Sequence, residues 1–243
     1  MPVTCSLEDR VALVTIDRPE RRNALDLDAL EELHAAVAEA ADSGARSIVL
    51  TGAGGHFCAG ADLTELEDVS FTQRLADVLH HLADVPVVTV AAIDGACMGL
   101  GMQLALACDL RVVDDGARFA VPVARLGLMV DHWTVDRLAR FWGEGAARHM
   151  VLASAVLTAD DSWRLGFAQG RGGLSETLSL ARRAASLAPM TQAGSKLGLG
   201  TRPGDDAAVS RYEAAFARAW ASEDLVEGRT AFAERREPRF RGH

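Results

Sequence analysis

The sequence predicts an α/β core followed by a helical C-terminal region. Three observations lead there. Up to about Phe141, apolar strand-like runs alternate with helix-like stretches, as in strand–helix units built around one sheet. Beyond Phe141 the strand signals fade and alanine-rich helical patterns take over. The chain has 243 residues, of which 49% are apolar and 24% charged. That is ample for a packed core and ordinary for a globular protein, which excludes wholesale disorder and fibrous architectures.

The elements follow in order. Val11 to Ile16 is an apolar run that reads as a buried strand, ended by Asp17-Arg18-Pro19. Asp26 has the position of a helix cap, and Leu27, Leu30, Leu33 and Val37 follow at helical spacing until Gly44. Ser47 to Thr51 is a second strand closed by Gly52, and the loop from Ala53 to Ala61 is rich in glycine and alanine. Asp62 with Glu65 forms a capping pair at the start of a short helix. Leu75, Val78, Leu79 and Leu82 mark another helix, Pro86 punctuates it, and Val87 to Ile93 is a third strand. From Val87 to Cys108 only Thr89, Asp94 and Gln103 are clearly polar, so hydropathy alone would admit a membrane span. The Asp94-Gly95 turn signal, with Gly99 and Gly101 after it, instead divides this stretch into a buried strand, a tight turn and a buried helix. Leu110 to Val113 is strand again. Helices are expected at about Gly145–Ala153, Ala159–Leu165, Leu174–Leu187, Asp205–Ala221 and Val226–Arg235, with Arg235 to His243 as a basic arm or tail. No repeat of 20–50 residues and no low-complexity segment is present.

Charge and motifs narrow the function. A net charge of -9 argues against broad nucleic-acid binding or adhesion to anionic lipid, and leaves room for a local basic patch on a phosphate. The cysteines Cys5, Cys58, Cys97 and Cys108 form no CxxC pair and have no histidine at zinc-finger spacing. A reducing, cytoplasmic setting and no structural metal are expected. The first residues lack the basic-then-apolar layout of a signal peptide. There is no Walker loop, HExxH or GxSxG, and Gly95 to Gly101 does not spell GxGxxG.

What remains is two small-residue turns, each leading from a strand into a helix. Small side chains let a ligand approach the backbone, and helix starts leave N–H groups unpaired. Two such donors converging would hold a carbonyl oxygen that becomes negative during reaction. The alternative is two tight connections and nothing more.

The residues in and around these turns resemble the crotonase (enoyl-CoA hydratase/isomerase) superfamily. The similar segments are Arg18-Pro19-Glu20-Arg21-Arg22-Asn23-Ala24-Leu25, Phe57-Cys58-Ala59-Gly60-Ala61-Asp62-Leu63, Asp94-Gly95 through Gln103 to Leu110, and Ala117-Arg118-Phe119 through Leu126-Gly127-Leu128. Phe232 to Phe240 resembles the family's closing helix, so the likeness spans nearly the whole chain. The resemblance implies a spiral of ββα units over residues 1–188, and a helical oligomerisation region over 189–243 that builds a homotrimer or a dimer of trimers. It implies an acyl-CoA ligand, no further cofactor and a role in fatty-acid metabolism. The thioester oxygen would sit between the backbone N–H groups of Ala61 and Leu100, with leucine at a position where glycine is usual. Ala59 and Ala61 would shape the adenine pocket, and Glu20, Arg21 and Arg22 would edge the CoA channel, where guanidinium forks suit phosphates. Phe232 and Arg235 match positions that reach a neighbouring subunit's CoA, or else simply belong to an amphipathic helix. Asp62 fits a helix cap better than a catalyst.

The chain departs from a hydratase of this family at two positions. The paired acid–base carboxylates map to Gln103 and Val123. An amide orients water without exchanging protons at useful pKa, and valine does neither. Asp131 is similar in position to a carboxylate used by some family isomerases and dehalogenases. It acts as base or nucleophile if desolvated beside Trp133, or caps the helix carrying Val135, Leu138 and Phe141. His132 and Trp133 are candidates for the acyl pocket, and the buried amide of Gln103 calls for a polar partner or ligand. Three functions stay open: an acyl-CoA-binding protein without efficient hydratase activity, an isomerase, dehalogenase or related enzyme using Asp131, and a non-catalytic scaffold.

Overall fold

A computed structural model describes residues 2–62 and 69–243. Its larger sheet has six strands in the order β1 (Val3–Glu8), β2 (Val11–Ile16), β3 (Ser47–Gly52), β4 (Val88–Ile93), β6 (Leu110–Val113) and β9 (Gly170–Arg171). The smaller sheet joins β5 (Ala96–Met98), β7 (Arg118–Ala120) and β8 (Leu157–Thr158). β1 and β2 form an antiparallel hairpin whose turn residues, Asp9 and Arg10, both take positive φ. From β2 to β9 the larger sheet is parallel.

Both faces of the sheet are covered at β2, β3, β4 and β6, which is why these strands read as apolar runs. In β3, Ile48 and Leu50 join the main core, while Val49 turns to the opposite face. The main core also takes Leu30, Leu33 and Val37 from α1 (Leu27–Asp42), and Val78, Leu79 and Leu82 from α2 (Val69–Asp84). Val49, Val90 and Val112 meet Ala181 and Ala185 of α7 (Leu174–Ala185). Asp26 caps α1 as expected, accepting the Ala29 N–H at 2.8 Å.

The two sheets and the helices wind as a spiral of strand–strand–helix coils. β4 leads to β5 and then to α3 (Leu100–Ala107); β6 leads to β7 and then, past a 3-10 turn at Val123–Arg125, to α4 (His132–Trp142). Earlier coils contribute single bridges to the smaller layer: Leu25 pairs with Ala61, and Cys58 pairs with Cys97, both in parallel sense. The sequence reading missed β1, β5, β7, β8 and β9. It also missed α8 (Pro189–Gly200), whose three glycines hide its helical period. The expected helix after Asp62 lies outside the described residues.

The C-terminal part is helical: α5 (Glu144–Ala153), α6 (Ala159–Arg164), α7, α8, α9 (Asp206–Trp220) and α10 (Glu223–Glu234). Lys196 of α8 reaches into the core edge, donating to Asp109 Oδ2 at 2.8 Å and to the Val87 carbonyl. The basic tail folds back: the Asp224 carboxylate accepts the N–H groups of Arg241 and Gly242. Among the described residues no helix is long and apolar enough to cross a membrane.

Candidate functional site

The two small-residue turns lie side by side because their strands are in register. Cys58 donates its N–H to the Ala96 carbonyl at 2.9 Å, and its own carbonyl accepts from Met98 N–H at 3.0 Å. Cys97 pairs in turn with Phe119, again in parallel sense. Just beyond the paired residues the turns stay in contact: a Cβ on Gly60 would lie 3.5 Å from the Met98 carbonyl oxygen, and one on Gly99 4.0 Å from Gly60 Cα, so Ala61 and Leu100 follow directly from neighbouring glycines. Gly101 allows this approach: a Cβ there would lie 2.2 Å from the Cys58 carbonyl oxygen.

Leu100 is the first residue of α3, and the left-handed strain of the turn falls on Gly99, at φ +51, rather than on Leu100. Leucine is therefore accommodated and its N–H survives as a donor. Among the described residues, the N–H of neither Ala61 nor Leu100 donates to a backbone or side-chain acceptor. The flanking N–H groups are committed: Gly99 donates to Ala120 O, Asp62 to Leu25 O, and Ala59 to Arg22 O. The far end of α3 is anchored by arginines. Arg111 donates to the carbonyls of Ala105 and Cys108, and Arg137 to that of Leu106. Burial pulls the Arg111 guanidinium down to about 10, which leaves it charged at neutral pH against a helix C-terminus.

Asn23 stands in the sequence only as part of a motif, yet it ties down the loop before Cys58. Fully buried and at φ 60, it accepts the Arg18 N–H and donates to the carbonyls of Ala53 and His56. A lone polar residue in a turn has no periodicity to betray it; tolerance of the left-handed region is the only signal. The Ala59–Arg22 bond then sets Glu20, Arg21 and Arg22, all exposed, beside the first turn. Asp62 is buried, with Arg21 at 3.5 Å and Arg18 at 3.8 Å. Its carboxylate is held by cations and faces the same edge.

Gln103 is 6% exposed on α3, and its Nε2 donates to Thr134 Oγ1 at 2.8 Å. Thr134 is the polar partner that the sequence called for. Asp131 is exposed and accepts the Thr134 N–H at 3.2 Å, which is helix-cap geometry; the desolvated setting that its use as base or nucleophile would need is absent. Val123 packs at the edge of the main core. His132 is exposed, whereas Trp133 is partly buried, edge-on to His80 of α2 and beneath the Arg137 guanidinium. Phe232 on α10 and Arg235, which ends that helix, are exposed and, among the described residues, make no hydrogen bond or ion pair to the two turns. Phe232 lines a cleft of about 710 Å³ among α8, α9 and α10. Among the described residues no cluster of three metal-ligating side chains occurs.

Comparison with known proteins shows the family. Residues 6–243 match the family model described as enoyl-CoA hydratase/isomerase. A Mycobacterium tuberculosis protein named "Probable enoyl-CoA hydratase echA6" is 39% identical over 236 residues, covering 96% of this chain and 97% of that one. The short-chain-enoyl-CoA hydratase of Clostridium acetobutylicum is 32% identical, covering 94% of this chain and 93% of that one. A solved enoyl-CoA hydratase subunit of Geobacillus kaustophilus superposes with a TM-score of 0.89 at 30% identity, over 100% of this chain and 99% of that one. A spiral of strand–strand–helix coils, paired turns with free amides, and likeness over nearly the full length together make this chain a member of the enoyl-CoA hydratase/isomerase, or crotonase, family.

Proposed function

We propose that this protein binds acyl-CoA thioesters in fatty-acid metabolism, holding the thioester oxygen between the N–H groups of Ala61 and Leu100, without efficient hydratase activity. The observation that carries the reading is the pairing of two uncommitted amides with side chains that cannot exchange protons. Gln103 is an amide tied to Thr134, and Val123 is aliphatic. Asp62, the buried carboxylate beside Ala61, is held by two arginines. Arg22, exposed beside Ala59, offers a phosphate a cation. The cleft bearing Phe216, Trp220 and Phe232 suits burial against further copies, as in a homotrimer or a dimer of trimers.

Calorimetry with CoA and octanoyl-CoA, and loss of enoyl absorbance with crotonyl-CoA and octenoyl-CoA, test this reading. The expected result is saturable binding of octanoyl-CoA with hydration at least about 10²-fold below that of the doubly substituted Gln103→Glu/Val123→Glu protein, since each acid–base group contributes about 10²–10⁴-fold. Wild-type turnover at ordinary hydratase rates refutes the loss of activity. Absence of binding refutes the ligand and favours a scaffold.

A further inference from the structure

The parallel pairing that brings the two turns together ends in an irregular rung. Cys58 makes the regular ones: its N–H meets the Ala96 carbonyl at 2.9 Å, and its carbonyl accepts from Met98 N–H at 3.0 Å. One rung earlier, a continuing ladder offers the Ala96 N–H the carbonyl of His56. That carbonyl faces Asn23 Nδ2 at 2.6 Å, and Phe57 rather than His56 donates its N–H to the Asp94 carbonyl. The Ala96 N–H, left without a backbone acceptor, donates instead to Nδ1 of the partly buried His56 ring at 3.1 Å.

The ring is built into the fold. A Cβ on Gly95 would lie 2.4 Å from His56 Nδ1 and 2.2 Å from the Gly55 carbonyl oxygen, so only glycine lets this loop lie so close to β5. Accepting at Nδ1 fixes the tautomer: the neutral ring carries its proton on Nε2. β5 has three residues, so each bond that holds it counts. On the β7 side it is pinned at both ends, by Arg118 N–H to the Gly95 carbonyl at 2.7 Å and by Gly99 N–H to the Ala120 carbonyl at 2.9 Å. On the Cys58 side its last N–H, that of Met98, goes to Cys58, and its first, that of Ala96, goes to His56.

Two donors serve one oxygen only while their turns keep a set distance, and about 1 Å of misplacement costs about 100-fold in a well-oriented site. Resting on the acyl-thioester reading above, we propose that His56 is a positioning residue: its Nδ1 fixes β5 against the Cys58 loop and so sets how the Ala61 and Leu100 amides converge on the thioester oxygen. It acts through β5 and not on the ligand.

The test is difference absorbance of the full chain with p-dimethylaminocinnamoyl-CoA, whose band moves to longer wavelength as N–H donors polarise its thioester carbonyl, beside calorimetry with octanoyl-CoA and CoA. The wild type is expected to shift the band. His56→Leu, which keeps bulk and removes the acceptor, is expected to lose about half of that shift or more and to lower the preference for octanoyl-CoA over CoA about five-fold, the scale of one hydrogen bond. His56→Asn, whose Oδ1 offers an acceptor at similar reach, is expected to restore both. Should His56→Leu not fold, nitrogen NMR of isotope-labelled histidine in the wild type decides: the neutral His56 ring is expected to hold its proton on Nε2, and a proton on Nδ1 overturns the proposal. A full shift in His56→Leu, equal losses in His56→Leu and His56→Asn, or equal loss of affinity for CoA and octanoyl-CoA also overturns it, while leaving thioester binding intact. A wild type that binds the chromophore without shifting its band, or binds no thioester, overturns the acyl-thioester reading and this proposal together.

Discussion

Asn23 shows how a single side chain can hold a site without touching a ligand. Two of its hydrogen bonds tie the Arg18–Leu25 segment to the loop before Cys58 and a third closes the segment on itself, at a φ that few residues tolerate. Asn23→Ala leaves buried carbonyls unpaired and strains the turn, which predicts a loss of about 3 kcal/mol in denaturant unfolding, with weaker octanoyl-CoA binding. The cysteines are the converse case. Burial pushes the thiols of Cys58 and Cys108 up to about 12, and Cys97 well above its usual value, so none is a nucleophile at neutral pH. Only Cys5 is exposed. Thiol titration is expected to count one reactive cysteine in the native protein and four in guanidinium. The sequence made the absence of a metal pattern legible, but not this inertness, which comes from burial.

At the scale of elements, legibility followed range. Asp26 and its helix were readable because a cap and its apolar stripe lie within a few turns of chain. β2, β3, β4 and β6 were readable because both faces are covered. β5 and β7 have three residues each and exist only through pairing with distant chain, so no local pattern announces them. The same pairing sets the turns that precede Ala61 and Leu100 side by side, and no local pattern reveals it; those two positions are legible only through family resemblance. Gly101 is the element-level test. A methyl at this position would meet the Cys58 carbonyl at 2.2 Å, so the turns must separate. Gly101→Ala is expected to lower octanoyl-CoA affinity at least about 100-fold by calorimetry, whereas Gly145→Ala, which meets nothing within 4 Å, leaves it unchanged.

For the whole molecule, the buried thiols set the alkaline limit of stability. Their pKa values are raised in the folded state, so between about pH 9 and 12 the native protein holds protons that the unfolded chain has released. Stability is full below pH 9 and falls as pH rises through that window. The lowered pKa values of Arg111, Arg137 and Arg46 act in the opposite direction, that of Arg111 from about 10 upward. Urea midpoints measured from pH 7 to 11 are expected to decline above pH 9, and to decline less in Cys58→Ala. The alignment of Cys58, Cys97 and Phe119 also bears on synthesis at the ribosome. A nascent polypeptide that has emerged only as far as α3 lacks the Ala120 carbonyl that receives the Gly99 N–H. Such an intermediate leaves the Gly99 turn unfinished, so a ligand held there is expected to protect the protein only once translation has passed β7.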